Sequence, residues 1–317
     1  MLLMTNTSAR LAYINGRILP ETEASISIRD MGVVYGDSVF DTARTFNGAI
    51  FMLEAHIDRL FESLDYTRID PGMNKLDYIQ AVNDLVDRNL PMLRDGEDYW
   101  VTIRVTSGLQ TLDGEPPIQT GSTIIIDCIP IPLRARASFF VNGIEAIVAD
   151  RCRIAPEALS PNAKTNNYLN MMLAQKEVSA EQPGSWALMC DREGNLAEGA
   201  GCNFFIVRDG VVYTPTTEFI LAGVSRQVVI ELCEEMGIPL RESNVSLEQA
   251  LSADEAFFTS TSLCACPVAS INGSTYNTGI PGPVTRLIMD GFAARVGMDY
   301  VAQYKKFRSE HSASTGL

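Results

Sequence analysis

Lysine is scarce in this sequence, and one of its lysines has unusual surroundings. The 317 residues include five lysines and two histidines. Lys164 follows a Ser-Pro break in SPNAKTNNYLNMML and precedes a helix-like run, a junction at which a side chain can point into a cleft. Desolvation makes a lysine amine easier to deprotonate and able to form a Schiff base, although most lone lysines only extend to solvent. The other four lie in charged or polar helical segments, namely Lys75, Lys176, Lys305 and Lys306.

The carboxylate of Glu198 is the second candidate for chemistry. In AEGAGCNFF it precedes three small residues and then a strand-like run. The pattern is typical either of a glycine-rich bulge with a surface glutamate or of a place where a flat ring approaches the backbone. In the second case the carboxylate would keep a ring nitrogen protonated, as an electron-sink cofactor requires.

Three further segments carry groups that could bind an anion. In LAGVSRQVV, the residues Gly223, Val224 and Ser225 begin a helix, whose first N–H groups attract negative charge. The run TSTS at 259–262 offers hydroxyls at a strand end, and Arg59 in AHIDRLFESL offers a planar fork of donors. Each signal alone is also compatible with an ordinary helix start or a surface ion pair.

Local patterns predict an α+β fold in which these groups are positioned. Asn-Gly pairs in LAYINGRILP and TFNGAIFML predict hairpins. Apolar stripes, one from Ile57 to Leu64 and one from Leu76 to Val86, predict two helices. Strands and helices then recur without regular alternation. Residues 129–140 contain two prolines and two arginines, which predicts a linker between a smaller N-terminal domain, 1–128, and a larger domain, 141–317.

Composition argues against several classes of function. A net charge of −14 without a basic run disfavours nucleic acid and anionic membranes as partners. Two histidines leave little for a Ser-His-Asp triad or a zinc site, so we expect no metal. Seven cysteines without a CxxC pair, and no long apolar segment, are typical of a cytoplasmic protein with reduced thiols.

Taken together, these motifs resemble a known family. The order of Arg59, Lys164, Glu198, residues 223–225 and Thr261 is similar to that in the class IV, or fold type IV, pyridoxal-phosphate enzymes. This group contains branched-chain aminotransferases, D-amino acid aminotransferases, (R)-selective amine transaminases and aminodeoxychorismate lyase. The matching segments are RDMGVVYGDSVFDTART, LEAHIDRLFESL, AKTNNYL, LAEGAGCNFFIV, LAGVSRQVVIE and FFTSTS.

The resemblance implies a role for each matching residue. Lys164 would be the catalytic residue that forms a Schiff base with pyridoxal 5'-phosphate (PLP), and Glu198 would contact the pyridine nitrogen. Tyr168 would hydrogen-bond the phenolic oxygen of the cofactor. The residues implied to bind its phosphate are Arg59, Gly223, Val224, Ser225 and Thr261. The resemblance also implies a homodimer whose larger, C-terminal domain binds the cofactor.

The same resemblance implies a set of substrate-binding residues. Tyr99 matches a tyrosine that positions the substrate carboxylate in branched-chain enzymes, but Val101 stands where those enzymes have an arginine. Because side chains alternate along a strand, we expect Arg104 to point to the opposite face. Arg44 matches another arginine of those enzymes, and it could equally pair with Asp41 or Asp37. The remaining candidates are Phe40 and Ser262, together with Arg134 and Arg136 of the linker.

We therefore expect an aminotransferase that moves an amino group from an apolar amino acid or amine to a 2-oxo acid by a ping-pong mechanism. VYGDSVFDTAR is similar to branched-chain enzymes, whereas VTIRVTSG and AKTNNYL are closer to the D-amino acid and (R)-amine enzymes. The stereochemistry of the donor is open. Aminodeoxychorismate lyase, which uses the same cofactor, and a non-catalytic binding protein are the alternatives.

Overall fold

The computed structural model describes residues 9–117 and 121–314. Its contacts divide the chain into two compact units, the first comprising Met1–Ile131 and Ala163–Asn167 and the second Pro132–Asn162 and Tyr168–Leu317. The first change of unit falls inside the stretch that the sequence predicts as a linker. The short segment Ala163–Asn167, which contains Lys164, groups with the first unit, although the sequence-based limits would assign it to the second domain.

The first unit contains one antiparallel sheet of six strands. Their order across the sheet is β2-β1-β6-β5-β3-β4. At both predicted hairpins the Asn-Gly pair adopts positive φ, with 48° and 83° at Asn15 and Gly16 and 51° and 80° at Asn47 and Gly48. The strands are β1 (Leu11–Ile14), β2 (Arg17–Pro20), β3 (Ser38–Phe46), β4 (Ala49–Ile50), β5 (Tyr99–Thr106) and β6 (Thr123–Pro130), and the α-helices are α1 (Met31–Val34), α2 (Leu53–Thr67) and α3 (Lys75–Asn89).

Helices α2 and α3 form one apolar core with the sheet. Ile57, Leu60 and Leu64 of α2 are buried at the helical spacing that the sequence predicts. In α3 the buried positions begin at Tyr78, whereas Leu76, which the stripe also includes, is 76% exposed. Leu76 lies in the first turn of α3, ahead of the residues that pack into the core.

The segment that contains Lys164 is bound to the edge of strand β3. The N–H of Phe40 donates to the Lys164 carbonyl at 2.9 Å, and the N–H of Asn166 donates to the Ser38 carbonyl at 2.8 Å. The N–H of Lys164 donates to Ser63 Oγ on α2 at 3.0 Å. These bonds explain why a segment so distant in sequence groups with the first unit.

The second unit contains a larger, mixed sheet. Its order is β12-β11-β10-β13-β14-β7-β8-β9, and β9 also pairs with β10, so that six strands close into a ring. Its strands are β7 (Ile144–Val148), β8 (Trp186–Cys190), β9 (Leu196–Gly199), β10 (Cys202–Arg208), β11 (Val211–Thr214), β12 (Leu240–Glu242), β13 (Glu255–Ser260), β14 (Cys264–Ile271) and β15 (Ser274–Thr275). Its helices are α4 (Leu133–Arg136), α5 (Phe139–Asn142), α6 (Leu169–Glu181), α7 (Val224–Glu235), α8 (Leu247–Leu251), α9 (Pro283–Val296) and α10 (Tyr300–Ser314).

Aromatic side chains fill part of this second core. Phe205 and Phe257 stack with ring centroids 4.8 Å apart on the paired strands β10 and β13. Such a pair contributes about 1 kcal/mol beyond the burial of its surface. Strands and helices occur without regular alternation in both units, which confirms the predicted α+β class. Among the residues described, no helix combines the length and hydrophobicity that crossing a membrane requires.

Candidate active site

In the first unit, the amine of Lys164 lies beside an aromatic ring. Lys164 Nζ is 4.6 Å from the centroid of the Phe40 ring. Both side chains are half-buried, and the backbone of Lys164 is held by β3 and α2. The backbone that carries the amine is therefore fixed at the edge of the sheet, as is required when an amine must react with one defined atom.

Arg59 of α2 is fixed by a buried carboxylate on β3. Its Nε donates to Asp41 Oδ2 at 2.8 Å and its Nη2 to Asp41 Oδ1 at 2.9 Å. His56 Nδ1 is 2.7 Å from the same Oδ1. Although burial raises it, the pKa of Asp41 is held well below its usual range by Arg59 and His56. From the sequence, Asp41 was expected only as a partner of Arg44, because the placement of β3 against α2 is a tertiary property.

Burial of His56 in this cluster favours its neutral form. Burial lowers its pKa more than the neighbouring Asp41 raises it. The carboxylate of Asp41 also accepts two hydrogen bonds from Arg59, and such a bidentate pair restricts rotation of the guanidinium.

In the second unit, Glu198 is a buried carboxylate with a cationic neighbour. Glu198 Oε1 lies 2.8 Å from Arg153 Nε, at ion-pair distance but without hydrogen-bond alignment. Oε2 accepts from the N–H of Leu221 at 3.2 Å and from Asn203 Nδ2 at 3.4 Å. A neighbouring cation favours the charged form of a carboxylate. The sequence does not indicate Arg153 or Asn203, because residue spacing alone does not identify the partners of a buried glutamate.

Gly223, Val224 and Ser225 begin helix α7 as the sequence predicts. Gly223 is the N-cap, and no side chain caps the first turn. A Cβ on Gly223 would overlap with the side-chain oxygen of Asn203, whose Nδ2 donates to the Leu221 carbonyl at 2.8 Å. Uncapped N–H groups and the helix dipole together make a site for an anion.

The turn that contains Thr261 and Ser262 is held from two directions. Arg136 Nη1 of α4 donates to Ser262 Oγ, and Tyr304 Oη of α10 donates to the Ser262 carbonyl at 2.7 Å. Burial lowers the pKa of Arg136, and its guanidinium lies 5.7 Å from the Trp186 ring centroid. Of the two linker arginines, Arg136 therefore contacts a predicted site residue.

Tyr168 is the N-cap residue of α6 and is half-buried. It packs against a small apolar cluster that includes Met171 and Ala187. This contact fixes the ring next to the start of the helix.

The predicted substrate-binding residues of β5 lie in the core of the first unit. Tyr99 and Val101 are buried, and Tyr99 Oη donates to the Asn89 carbonyl at 2.8 Å. Burial raises the pKa of Tyr99 to about 12. This placement does not support a substrate contact for either residue. The alternate residues, Trp100 and Thr102, stand on the other face of the strand.

Arg44 occupies a buried ion pair that the sequence did not indicate. Its Nη2 is 3.8 Å from Asp98 Oδ2, and its guanidinium lies 3.9 Å from the centroid of the Phe46 ring. The side chain is 1% exposed. Arg44 thus pairs with Asp98 rather than with Asp41 or Asp37. Among the residues described, no cluster of three potential metal ligands occurs.

Curated proteins of two kinds are similar to this chain. A putative branched-chain-amino-acid aminotransferase of Methanocaldococcus jannaschii is 36% identical over 282 residues, which cover 88% of this chain and 94% of the relative. The D-alanine aminotransferase of Bacillus licheniformis is 34% identical over 278 residues, covering 86% and 92%.

Solved structures agree with these relatives. The branched-chain aminotransferase of Escherichia coli has a TM-score of 0.82 and 29% identity, covering 90% of this chain and 94% of its own. The PLP form of the branched-chain aminotransferase of Thermobaculum terrenum has a TM-score of 0.79 and 28% identity, covering 94% and 97%. These likenesses confirm the predicted fold type IV.

A family model described as Amino-transferase class IV matches residues 38–271. The match includes every residue that the sequence analysis assigns to cofactor or substrate binding. This chain is a member of the class IV aminotransferase family.

Proposed function

We propose that this chain is a PLP-dependent aminotransferase that converts an apolar, branched-chain-like amino acid or amine and a 2-oxo acid into the corresponding carbonyl compound and amino acid. The amino group of the donor exchanges with the keto oxygen of the acceptor in two half-reactions. The observation that carries this proposal is the buried pair of Glu198 and Arg153 in a chain of this family. A charged carboxylate is what a protonated pyridine nitrogen requires.

The donor groups fit PLP. Lys164 offers a primary amine for an aldehyde, Glu198 offers a carboxylate for a ring N–H, and the start of α7 offers uncapped N–H groups for a phosphate. When bound, the cofactor supplies an electron sink that stabilises negative charge on the substrate carbon.

The chain itself would supply binding and proton transfer. Lys164 Nζ would bind the cofactor covalently and, once the substrate amine has displaced it, would carry a proton from and to the substrate carbon. Glu198 would accept a hydrogen bond from the ring nitrogen, with Arg153 keeping the carboxylate charged. These roles need no histidine.

Arg59 and Tyr168 would complete the cofactor contacts. The remaining N–H groups of Arg59 would bind phosphate while Asp41 holds the guanidinium in orientation. Tyr168, at the start of α6, would donate to the phenolic oxygen. Thr261 would add a contact to the phosphate, and Ser262, held by Arg136, would add one to the substrate.

A D-amino acid or (R)-amine is the second candidate for the donor. The spacing in AKTNNYL and the 34% identity to the D-alanine aminotransferase of Bacillus licheniformis favour it. A donor screen decides between the candidates: L-leucine, L-valine, D-alanine and (R)-1-phenylethylamine are each paired with pyruvate and with 2-oxoglutarate. Turnover of none of them, with pyruvate released from aminodeoxychorismate, would support the lyase instead.

Lys164→Ala tests the central role. We expect loss of the visible absorbance of the bound cofactor and of transamination. Lys176→Ala, on an exposed turn of α6, is the matched control and should keep both. Transamination by the Lys164→Ala protein would contradict the proposal.

We further propose a homodimer that works in the cytoplasm. Leu169, Met172 and Leu173 of α6 are 67%, 47% and 36% exposed, an apolar patch that a second copy could cover. Light scattering on the wild type and on a Leu169→Glu, Met172→Glu variant measures the mass. A wild-type monomer would contradict this proposal.

A further inference from the structure

Two cysteines lie side by side where the pairing between β7 and β8 ends. Val148 of β7 is in register with Leu188 of β8, and the N–H of the residue after Val148 donates to the Leu188 carbonyl at 2.9 Å. The same bond recurs farther along β8, where the N–H of Arg153 donates to the Cys190 carbonyl at 2.8 Å. In a parallel pair this bond places Cys152 opposite Cys190. Two extra residues bulge out on the β7 side between the two bonds.

The spacing of the two cysteines suits a disulfide. Neighbouring strands lie about 4.8 Å apart, and the Cα atoms of a disulfide are about 4.4–6.8 Å apart. Side chains that stand opposite each other on adjacent strands share one face of the sheet. Burial, and to a smaller extent the nearby thiol of Cys152, raises the pKa of the Cys190 thiol to about 11. The two sulfurs are therefore close enough to interact electrostatically.

The two thiols differ in their access to solvent. All seven cysteines lie in the described ranges, and each is a free thiol. Cys152 is exposed and Cys190 is half-buried, whereas Cys202 and Cys266 are buried. An exposed thiol reacts with a small oxidant, and a second thiol beside it converts the first oxidation product into a disulfide. Cys152 can thus react first, with Cys190 as the resolving thiol.

Both cysteines are connected to the buried carboxylate of Glu198. Cys152 directly precedes Arg153, whose Nε lies 2.8 Å from Glu198 Oε1. Cys190 is in register with Leu196 of β9, the strand that also carries Glu198. A disulfide holds its two Cβ atoms about 3.8 Å apart, closer than the spacing of neighbouring strands. Its formation would therefore move the backbone next to Arg153.

We propose that Cys152 and Cys190 are an oxidative modification site, at which a peroxide forms a disulfide that weakens the ion pair of Arg153 with Glu198. The effect on activity rests on the proposed aminotransferase function, whereas the disulfide itself does not. The modification would make the enzyme respond to oxidants through the residue that keeps Glu198 charged.

The reaction with hydrogen peroxide has two steps. The Cys152 sulfur attacks one peroxide oxygen, so that an S–O bond forms, the O–O bond breaks and water leaves with the thiol proton. The Cys190 sulfur then attacks the Cys152 sulfur, so that an S–S bond forms, the S–O bond breaks and a second water leaves with the Cys190 proton. The two sulfurs together lose two electrons, which the peroxide gains.

Peptide mapping of the holoenzyme after treatment with hydrogen peroxide tests the modification. Trypsin cuts after lysine and arginine, so the disulfide would join the dipeptide 152–153 to the peptide 177–192. We expect this species, lighter by two hydrogen atoms than the sum of its two peptides, and its disappearance after dithiothreitol. A sulfinic acid at Cys152 without the cross-link, a disulfide elsewhere, or two thiols that stay reduced would overturn the inference.

Initial rates before and after the same treatment test the effect on the site. We expect the kcat of the wild type to fall roughly fivefold or more and to recover with dithiothreitol, because a displaced cation no longer favours the charged carboxylate. Cys152→Ser and Cys190→Ser should keep the kcat of the reduced wild type and lose the response to peroxide. Cys128→Ala, in the core of the first unit, is the matched control and should respond as the wild type does.

The two measurements separate the possible outcomes. An unchanged kcat in cross-linked protein, or an equal fall in Cys152→Ser, would overturn the connection to Glu198. A wild type that is inactive with every donor and acceptor would instead overturn the proposed function, and the peptide map would still decide for or against the disulfide.

Discussion

The side-chain oxygen of Asn203 occupies the space in which a Cβ of residue 223 would lie, so only glycine fits before helix α7. The same side chain donates to the Leu221 carbonyl and to Glu198 Oε2. The start of the helix and the buried carboxylate are thus connected through one asparagine. A shift of Asn203 would disturb both.

Gly223→Ala should therefore weaken the binding of PLP. The new methyl group must displace Asn203, and such overpacking costs about 1–3 kcal/mol. We expect roughly a tenfold or larger rise in the Kd, measured by titrating the apoprotein with PLP, since 1.4 kcal/mol corresponds to about tenfold. Gly291→Ala in α9 is the control because its Cβ would meet only the flexible ends of Leu232 and Met236. An unchanged Kd for Gly223→Ala would argue against an anion site at this helix.

Arg153→Gln should reduce both activity and stability. It leaves Glu198 buried without its cation, a change that costs about 3–5 kcal/mol in comparable pairs. We expect kcat to fall at least tenfold and the Tm to fall, with Arg153→Lys recovering part of both. The exposed Arg151, paired with Glu177, provides the control variant Arg151→Gln. Equal kcat values for Arg153→Gln and that control would contradict the proposed role.

His56 should make the protein less stable in mild acid. Because burial lowers its pKa below 6.5, the unfolded chain binds a proton there that the folded chain does not. The stability that neutral His56 contributes is present above pH 6.5 and is lost as the pH falls below that value. We expect the decrease in Tm between pH 7.5 and about pH 5.5 to be smaller in His56→Gln, measured at fixed cofactor concentration. An identical decrease would show that His56 titrates normally.

Tyr99→Phe separates a core role from a substrate role. The hydroxyl donates to the Asn89 carbonyl inside the first unit, so its removal should cost about 1 kcal/mol of stability. We expect a lower Tm and unchanged kcat/KM for every donor. Thr102→Val, on the opposite face of the strand, is the comparison variant. A rise in KM for one class of donor in Tyr99→Phe would restore the role that resemblance implied.

Features that depend on residues adjacent in the chain could be predicted from the sequence. Asn-Gly pairs tolerate positive φ and therefore marked the hairpins at Asn15 and Asn47. The apolar stripe marked α2 because one helix face must be buried. Lys164 stood out because its neighbours in sequence are uncharged, and the helix that starts at Val224 followed from its glycine and serine.

Hydrogen-bond and ion-pair partners that are distant in sequence were revealed only by the tertiary structure. The bond from Lys164 to Ser63 joins residues 101 positions apart, and that from Arg136 to Ser262 spans 126. Nothing in the local composition selects Arg153 for Glu198, or Asp98 rather than Asp41 for Arg44. Which face of β5 is covered by α2 and α3 depends on sheet register, and a shift of one residue exchanges the faces. The sequence alone thus determined the family, the elements and the reactive amine, whereas packing determined which charges meet and which side chains a substrate can reach.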